Sequence, residues 1–340
     1  MIFIFKKKFK IVYYVIFTII LSISSIYLTS LIIFKRSHNI SLESYKKIYN
    51  PISSVDGFVH LSSDNINGPI TVNRALDDGT KVDIYSLLSK NNYNFDEKID
   101  NSNNDKIAIV MFAENVQPNS YAEHAISEFY QYANIHGYKF IYNNQRYDRD
   151  NELFYMKIHV ITEAITEGLK EKKFNWIFWV DCDTVLANPS IKLEAFLPRK
   201  RNIHFIAADR NGINAGVFFI RVHPWSLNFM LRTGSHAYFN KDEYYEYGEE
   251  TSFKKILKEA EGKEEEKFFA LVPPEWFNTL PENKKRGDFI LHPCFRKKES
   301  QVDIYELRKE VQSDKKYISG KSTKKLRRQV KNFYRYSKWK

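Results

Sequence analysis

The apolar pattern that organises the chain is Trp176–Val180 (WIFWV), five apolar or aromatic residues in a row that stop at two carboxylates, Asp181 and Asp183. An unbroken run of this length fits a strand covered on both faces, as in parallel sheets. Asn188-Pro189 then breaks the chain. Upstream, KIAIVMFA (106–113) predicts a first strand, closed by turn chemistry at Glu114, Asn115 and Pro118. Ala122, Ala125, Ile126, Phe129, Tyr130 and Ala133 follow at helical spacing, with Ser120 placed to cap the start and Gly137 to end it. KFIY (139–142) predicts a second strand, and Leu153–Leu169 a second helix with Phe154, Ile158, Ile161, Ala164, Ile165 and Leu169 inward. Two β-then-α alternations before the central strand predict an α/β fold: a Rossmann-like three-layer αβα sandwich with a mostly parallel sheet and right-handed crossovers.

Beyond that strand the pattern predicts strands at Phe205–Ala208, Val217–Arg221, Phe268–Val272 and Asp288–Leu291. A helix starts at Pro224-Trp225, and an amphipathic helix lies within Tyr247–Glu266 with Phe253, Ile256 and Leu257 inward. The first part of the chain reads differently. Residues 11–34 contain no charged residue and exceed the roughly 20 residues that cross a bilayer. A cleavable signal peptide is the competing reading, against which stand the length of the run and the lack of a small-x-small site. Lys6, Lys7, Lys8 and Lys10 precede the run and only Lys35 and Arg36 follow it. The positive-inside tendency then leaves residues 1–10 as a cytosolic tail, 11–34 as a transmembrane signal anchor and the rest lumenal, a type II arrangement. Residues 35–104, rich in Ser, Asn and Asp, read as a stem, although Val82–Leu88 is apolar enough to pack. One domain at 105–298 remains, followed by a basic tail at 299–340.

Charge changes this picture in one place. The formal net charge of +11 is concentrated beside the anchor and in the last residues, KSTKKLRRQVKNFYRYSKWK. Such a segment suits nucleic acid or an anionic membrane surface, and a lumenal position removes nucleic acid. A solvated tail is the simpler expectation. Two cysteines, Cys182 and Cys294, are too few for a disulfide framework and show no metal-thiolate spacing.

Along extended backbone Asp181 and Asp183 point the same way, about 7 Å apart, with Cys182 pointing away. That spacing suits a hard divalent cation shared with substrate phosphates, and the place is right, since open α/β sheets bind ligands at the carboxyl ends of their strands. The plainer reading is an acidic turn. Gly212 and Gly216 in DRNGINAGVFFIRVHPWS (209–226) suit either a close approach of backbone to a ligand or an ordinary hairpin. Glu249 and Glu250 either favour a helix dipole or line a cleft. His292, at a strand end, either joins the acids at a metal or is a hydrogen-bonded core histidine.

Taken together, YANIHGYKFIY (132–142), FYMKIHVITEAI (154–165), WIFWVDCDTVLANPSIKLEAFL (176–197), DRNGINAGVFFIRVHPWS (209–226), PPEWFNTLP (273–281) and GDFILHP (287–293) resemble one family. It is glycosyltransferase family 34, which holds galactosyltransferases, alpha-1,6-mannosyltransferases of the fungal mannan polymerase type and plant xyloglucan xylosyltransferases. The resemblance implies a GT-A fold, a nucleotide-sugar donor, a glycan acceptor, Mn2+ or another divalent cation, and retention of anomeric configuration. It implies Asp181, Asp183 and His292 as metal ligands, and Lys157, Asp181, Asn211, Ala215 and Gly216 on the donor. Asp209, Asn214, Glu249 and Glu250 fall on the catalytic side. Two blocks depart from the family: Glu249-Glu250 stands where an acid and Gln are usual, and HPCFRKKES (292–300) where the histidine block usually continues with Gly-Cys.

The reaction expected is attack of an acceptor hydroxyl on the anomeric carbon, by a front-face route or through a covalent intermediate on Asp209, Glu249 or Glu250. The short stem and compact domain look most like the mannosyltransferases, which use GDP-mannose for N-glycan or mannan elongation. UDP-galactose is the alternative donor, and a non-catalytic subunit of a Golgi glycosyltransferase complex the alternative role. The expected location is the Golgi membrane, with other glycosyltransferases as partners and no nucleic acid. A nucleotidyltransferase or phosphatase would need a Gly-rich phosphate loop, which the sequence lacks.

Overall fold

The computed structural model describes residues 61–62, 83–95, 98–99, 104–114, 116, 120–147, 153–210, 212–240, 248–294 and 303–336. The expected anchor at 11–34 and most of the stem lie outside the described residues, as does Asn211. Among the described residues no helix is long and apolar enough to cross a membrane.

In chain order the elements are β1 (Leu61–Ser62), α1 (Ile84–Lys90), β2 (Ile107–Phe112), α2 (Tyr121–His136), β3 (Lys139–Asn143), α3 (Met156–Glu171), β4 (Trp176–Val180) and β5 (Val185–Leu186). Then come β6 (Phe205–Asp209), β7 (Ile213–Arg221), α4 (Pro224–Phe239), α5 (Glu249–Glu259), β8 (Phe269–Val272), β9 (Ile290–Leu291), α6 (Ile304–Ser313), α7 (Lys316–Ser319) and α8 (Thr323–Tyr336). Helix α2 begins and ends as its sequence asks: the Ser120 hydroxyl accepts from the Glu123 amide, and Gly137 takes a left-handed φ of +73°.

The main sheet runs β1-β3-β2-β4-β7-β6-β8. Strands β3, β2 and β4 are mutually parallel and β6 pairs parallel with β8, but β7 lies antiparallel between β4 and β6. The sheet is therefore mixed. The antiparallel β7 follows from a tight return: Gly212, at φ +105°, turns the chain from β6 straight into β7, as the hairpin reading of that glycine allowed.

Side-chain alternation sorts the core into two layers. Trp176, Phe178 and Val180 of β4 pack with Ile107, Ile109, Phe129, Phe219 and Leu326 on one face. Ile177 and Trp179 pack with Val110, Ile161, Phe218, Phe229 and Phe253 on the other. Helices α2 and α8 thus cover one face, and α3, α4 and α5 the other.

Two boundaries differ from the sequence reading. Helix α1 buries Ile84 and Leu88, so part of the stem packs as its apolar residues suggested. At the other end, residues 303–336 are no solvated tail. Leu326, Val330 and Tyr334 of α8 are buried, the Thr323 hydroxyl donates to the Ser190 carbonyl at 2.8 Å, and Arg327 donates to the carbonyls of Ala195 and Leu197. Ile304, Leu307 and Val311 bury one side of α6. These residues recur at three- and four-residue steps, a helical period that the density of lysine and arginine masks.

Helix α6 is locked by a buried ion pair. Arg308, with no exposed side-chain surface, donates from Nε to Glu128 Oε1 at 2.7 Å and from Nη2 to the Thr184 carbonyl at 3.0 Å. Gln312 and the Leu186 amide donate to the same carboxylate. We predict that Arg308→Ala, which strands Glu128 in the core, costs about 3–5 kcal/mol, read from the denaturant midpoint. Glu128→Leu with Arg308→Met recovers most of it, and a loss from Arg308→Ala below about 1 kcal/mol, the level of a surface pair, would contradict the docking of α6.

Candidate metal centre

Strand β4 ends at Val180, and the acids sit in the turn beyond it rather than on extended backbone as expected. The Asp181 amide still donates to the Gly216 carbonyl at 2.8 Å, extending the β4–β7 ladder by one bond. The Thr184 hydroxyl closes the turn on the Asp181 carbonyl at 2.7 Å. The chain then enters β5, whose antiparallel partner is β9 with Val185 opposite Leu291. One step back along that register, His292 falls beside the acidic turn. Its Nε2 lies 3.2 Å from Asp183 Oδ1.

Asp181, Asp183 and His292 each offer a ligand atom, and these atoms lie within 4.8 Å of one another. Two carboxylates and an imidazole are a donor set that suits Mn2+ and related divalent ions. The histidine is also oriented for the task. Its Nδ1 lies 2.9 Å from Asn278 Oδ1, an oxygen that can only accept, so Nδ1 carries a hydrogen and Nε2 faces Asp183. Asn278 in turn donates to Asn214 Oδ1 at 2.7 Å. Burial works against charge on His292, but Asp183 and Cys294 outweigh it and hold the imidazole at about 10. Burial is likewise outweighed at Asp183, which His292 lowers, whereas burial raises Asp181 against the pull of Lys157.

Lys157 projects from the first turn of α3 and is 4% exposed. Its ammonium donates to Glu249 Oε1 at 2.6 Å, to the Ala215 carbonyl at 2.8 Å and to Asp181 Oδ2 at 3.2 Å. Burial disfavours that charge, but Asp181 and Glu249 more than offset it and raise the pKa above the ordinary lysine range. Trp179 completes the cage: Nε1 donates to Asp181 Oδ1 at 2.7 Å, with the Lys157 ammonium 5.6 Å from its ring.

The two glutamates part company here. Glu249 is turned to Lys157, while Glu250 accepts from Asn214 Nδ2 at 3.2 Å and the Ala215 amide at 3.3 Å and pairs with Lys254 at 3.1 Å. Asp209 is exposed and accepts from the Gly212 amide at the hairpin tip. Ala215–Val217 bulges out of the β6–β7 pairing, which jumps from Ala207↔Phe218 to Ala208↔Asn214. The bulge lets Gly216 meet His292: a Cβ there would lie 2.0 Å from the ring carbon Cε1.

Cavities open on both sides of this cluster. One of about 490 Å³ is lined by Phe112, Tyr121, Phe154, Lys157, Asp181 and Asp183. The other, about 730 Å³, is lined by Asp209, Arg210, Asn214, Glu250, Glu275 and Lys284 among others. Phe154, expected inward, is instead 41% exposed on the wall of the first. Sequence reasoning missed Tyr121, Trp179, Arg210, Asn278 and Cys294. For Trp179 a signal existed, since it lies two residues before Asp181 where a strand ends. Cys294, at a left-handed φ of +51°, places Sγ 3.2 Å from both His292 Nδ1 and Arg210 Nη1, a contact no spacing announces.

Residues 103–204 match the model of the galactosyl transferase GMA12/MNN10 family, the same family whose blocks the sequence resembles. Galactomannan galactosyltransferase 1 of Cyamopsis tetragonoloba is 30% identical over 126 residues, covering 33% of this chain and 28% of that protein. Xyloglucan 6-xylosyltransferase 4 of Arabidopsis thaliana is 27% identical over 122 residues, 33% of this chain and 23% of that one. The chain thus spans about a quarter of the length of the curated relatives it matches. Among solved structures, that of a glycosyltransferase involved in the glycosylation of the major capsid of PBCV-1 superposes with a TM-score of 0.46 at 20% identity, over 59% of this chain and 99% of that one.

Gly216 tests the metal centre without removing a ligand. We predict that Gly216→Ala displaces the His292 ring and weakens Mn2+ binding by at least about 100-fold, measured by titration with paramagnetic resonance of the free ion. Unchanged affinity in folded protein would show that His292 holds no metal.

Proposed function

We propose that this chain is a metal-dependent, retaining glycosyltransferase that moves a hexose from a nucleotide sugar to a glycan acceptor. The observation that carries the reading is the Asp181–Asp183–His292 cluster, whose two acids line one cavity and whose histidine is joined through Asn278 to Asn214 on the wall of the other. The family match over residues 103–204 supports it.

In this reading the smaller cavity takes the nucleotide diphosphate and the larger one the transferred sugar and the acceptor. Tyr121 and Phe154 offer aromatic surface to the nucleotide. A divalent cation, Mn2+ here, would be held by Asp181, Asp183 and His292 and supplies positive charge to the departing diphosphate. Lys157, expected on the donor, acts in this reading through Asp181. With its donors given to Glu249, Ala215 and Asp181, it fixes the Asp181 carboxylate and the bulged strand in place. Asn214 and Glu250 face the transfer side, where Glu250 can stabilise positive charge developing at the anomeric carbon. In a front-face route the leaving phosphate accepts the acceptor proton, so no side chain need act as general base.

GDP-mannose is the donor that the short stem and compact domain favour, and the name of the Cyamopsis relative favours UDP-galactose. A type II arrangement in the Golgi membrane, with the domain lumenal and other glycosyltransferases as partners, belongs to the same proposal and rests on residues 11–34.

The full chain with Mn2+ should turn over one of GDP-mannose, UDP-galactose and UDP-xylose, and Asp183→Ala should reduce that turnover roughly a thousandfold. Equal turnover by the variant, or none on any donor by folded protein offered a mannan-type acceptor, would end the reading. The two glutamates should separate. Glu250→Gln lowers kcat by about 100-fold or more with the melting temperature nearly unchanged, whereas Glu249→Gln, which weakens the hold on a buried ammonium, lowers the melting temperature as well.

A further inference from the structure

Helix α5 opens with two glutamates, and each meets a different lysine. Glu249 accepts from Lys157 of α3, whereas Glu250 pairs at 3.1 Å with Lys254, one turn further along its own helix. Exposed pairs at this spacing contribute little. This one is different in kind, because the Glu250 side chain is only 5% exposed while that of Lys254 is 34% exposed. A buried carboxylate is given its counter-charge from a partly solvated neighbour.

The Glu250 carboxylate is held at both oxygens. Oε2 accepts from Asn214 Nδ2 at 3.2 Å and from the Ala215 amide at 3.3 Å, and Oε1 faces the Lys254 ammonium. The last torsion of a glutamate is soft, so partners on both oxygens are what fix the plane of the group. Lys254 reaches its oxygen across the β6–β7 hairpin. A Cβ on Gly212 would lie 3.2 Å from Lys254 Cε and 3.8 Å from Cδ, so the lysine stem rests on the bare tip of that turn. The strand that leaves the tip carries Asn214 and Ala215, the partners of the other oxygen. Glu250, Asp209 and Asn214 line the larger cavity, and Lys254 does not.

We propose that Lys254 is a positioning residue for the transfer step, holding the Glu250 carboxylate turned toward the place of the transferred sugar. The inference rests on the transferase reading given above. Positive charge grows at the anomeric carbon as its bond to the diphosphate breaks, and a carboxylate already in place stabilises that charge without reorganising. A buried carboxylate deprived of its counter-charge lowers its energy by taking a proton or by swinging toward water. Either response removes negative charge from the point where the reaction uses it. Lys254 opposes both, and its stem couples α5 to the hairpin that supplies the remaining donors.

The test is a double-mutant cycle on the full chain with Mn2+ and the donor it turns over. Lys254→Met keeps an apolar stem on Gly212 and removes the charge. We expect it to lower kcat about tenfold with KM for the donor unchanged. Lys254→Arg, which restores a cationic donor to a single oxygen, should come within about threefold of the unsubstituted chain. In a Glu250→Gln background no carboxylate is left to hold, and there Lys254→Met should change kcat by less than about twofold. A tenfold loss in both backgrounds, no loss in the first, or a loss carried by KM would overturn the proposal. A folded chain that turns over no donor would end the transferase reading instead, and the pair is then judged by melting without donor. Lys254→Met should lower the melting temperature by about 3 °C with Glu250 in place and leave it unchanged in the Glu250→Gln background. Equal shifts in the two backgrounds would show that Lys254 does not hold that carboxylate.

Discussion

The candidate metal centre depends on the contact between a bare Cα and an imidazole. Gly216 does three things at once: its carbonyl accepts the Asp181 amide, its own amide donates to Asn214 Oδ1, and its missing side chain makes room for His292. The two acids come from the end of β4 and the histidine from the end of β9, more than a hundred residues later in the chain. They meet because β7 passes between β4 and β6 with a bulge at this glycine. Any side chain there would separate the ligands. The bulge is thus a built feature of the site, of the kind that re-aims groups at the edges of regular pairing.

Around that contact the electrostatics are balanced at a cost. Lys157 is buried among Asp181, Glu249 and the Ala215 carbonyl, and burial disfavours the charge of both carboxylates in turn. A buried charge cluster of this kind adds little net stability, because desolvation consumes most of the Coulombic gain. What it contributes is position. An Asp181 carboxylate held by Trp179 on one oxygen and Lys157 beside it has little freedom to turn away from Asp183 and His292. The remaining charge of the cluster, two carboxylates against one imidazole, is the kind of excess a divalent cation relieves.

Much of the scaffold was legible in the sequence because it rests on local rules. Strands β2, β3 and β4 announce themselves as short apolar runs, and α2 carries both of its end signals. Asp181 and Asp183 stood out by their place at a strand end, and His292 by the family blocks. The misses are of another kind. That β7 runs antiparallel follows from the tight return between Asp209 and Ile213, and the apolar run of β7 reads the same in either direction. Glu249 and Glu250 were indistinguishable as neighbours; the first turn of α5 sends one to Lys157 and the other to Asn214. Asn278, which sets the tautomer of His292, sits in a stretch without regular periodicity, so nothing local marks it.

The C-terminal region shows how composition misleads when it is read without period. A count of lysine and arginine says solvated tail; the spacing of Leu326, Val330 and Tyr334 says amphipathic helix. The inner sides of these helices reach the centre of the molecule. Arg308 of α6 holds the carbonyl of Thr184, the residue immediately after Asp183, and α8 clamps Ser190, Ala195 and Leu197 in the segment that follows. The acidic turn is therefore braced from both directions, by β7 through Gly216 and by the C-terminal helices through Arg308. The same helices that present positive charge outward fix the position of the negative charge within. A cluster supported this way needs little reorganisation when a cation enters, which is what the proposed metal site requires.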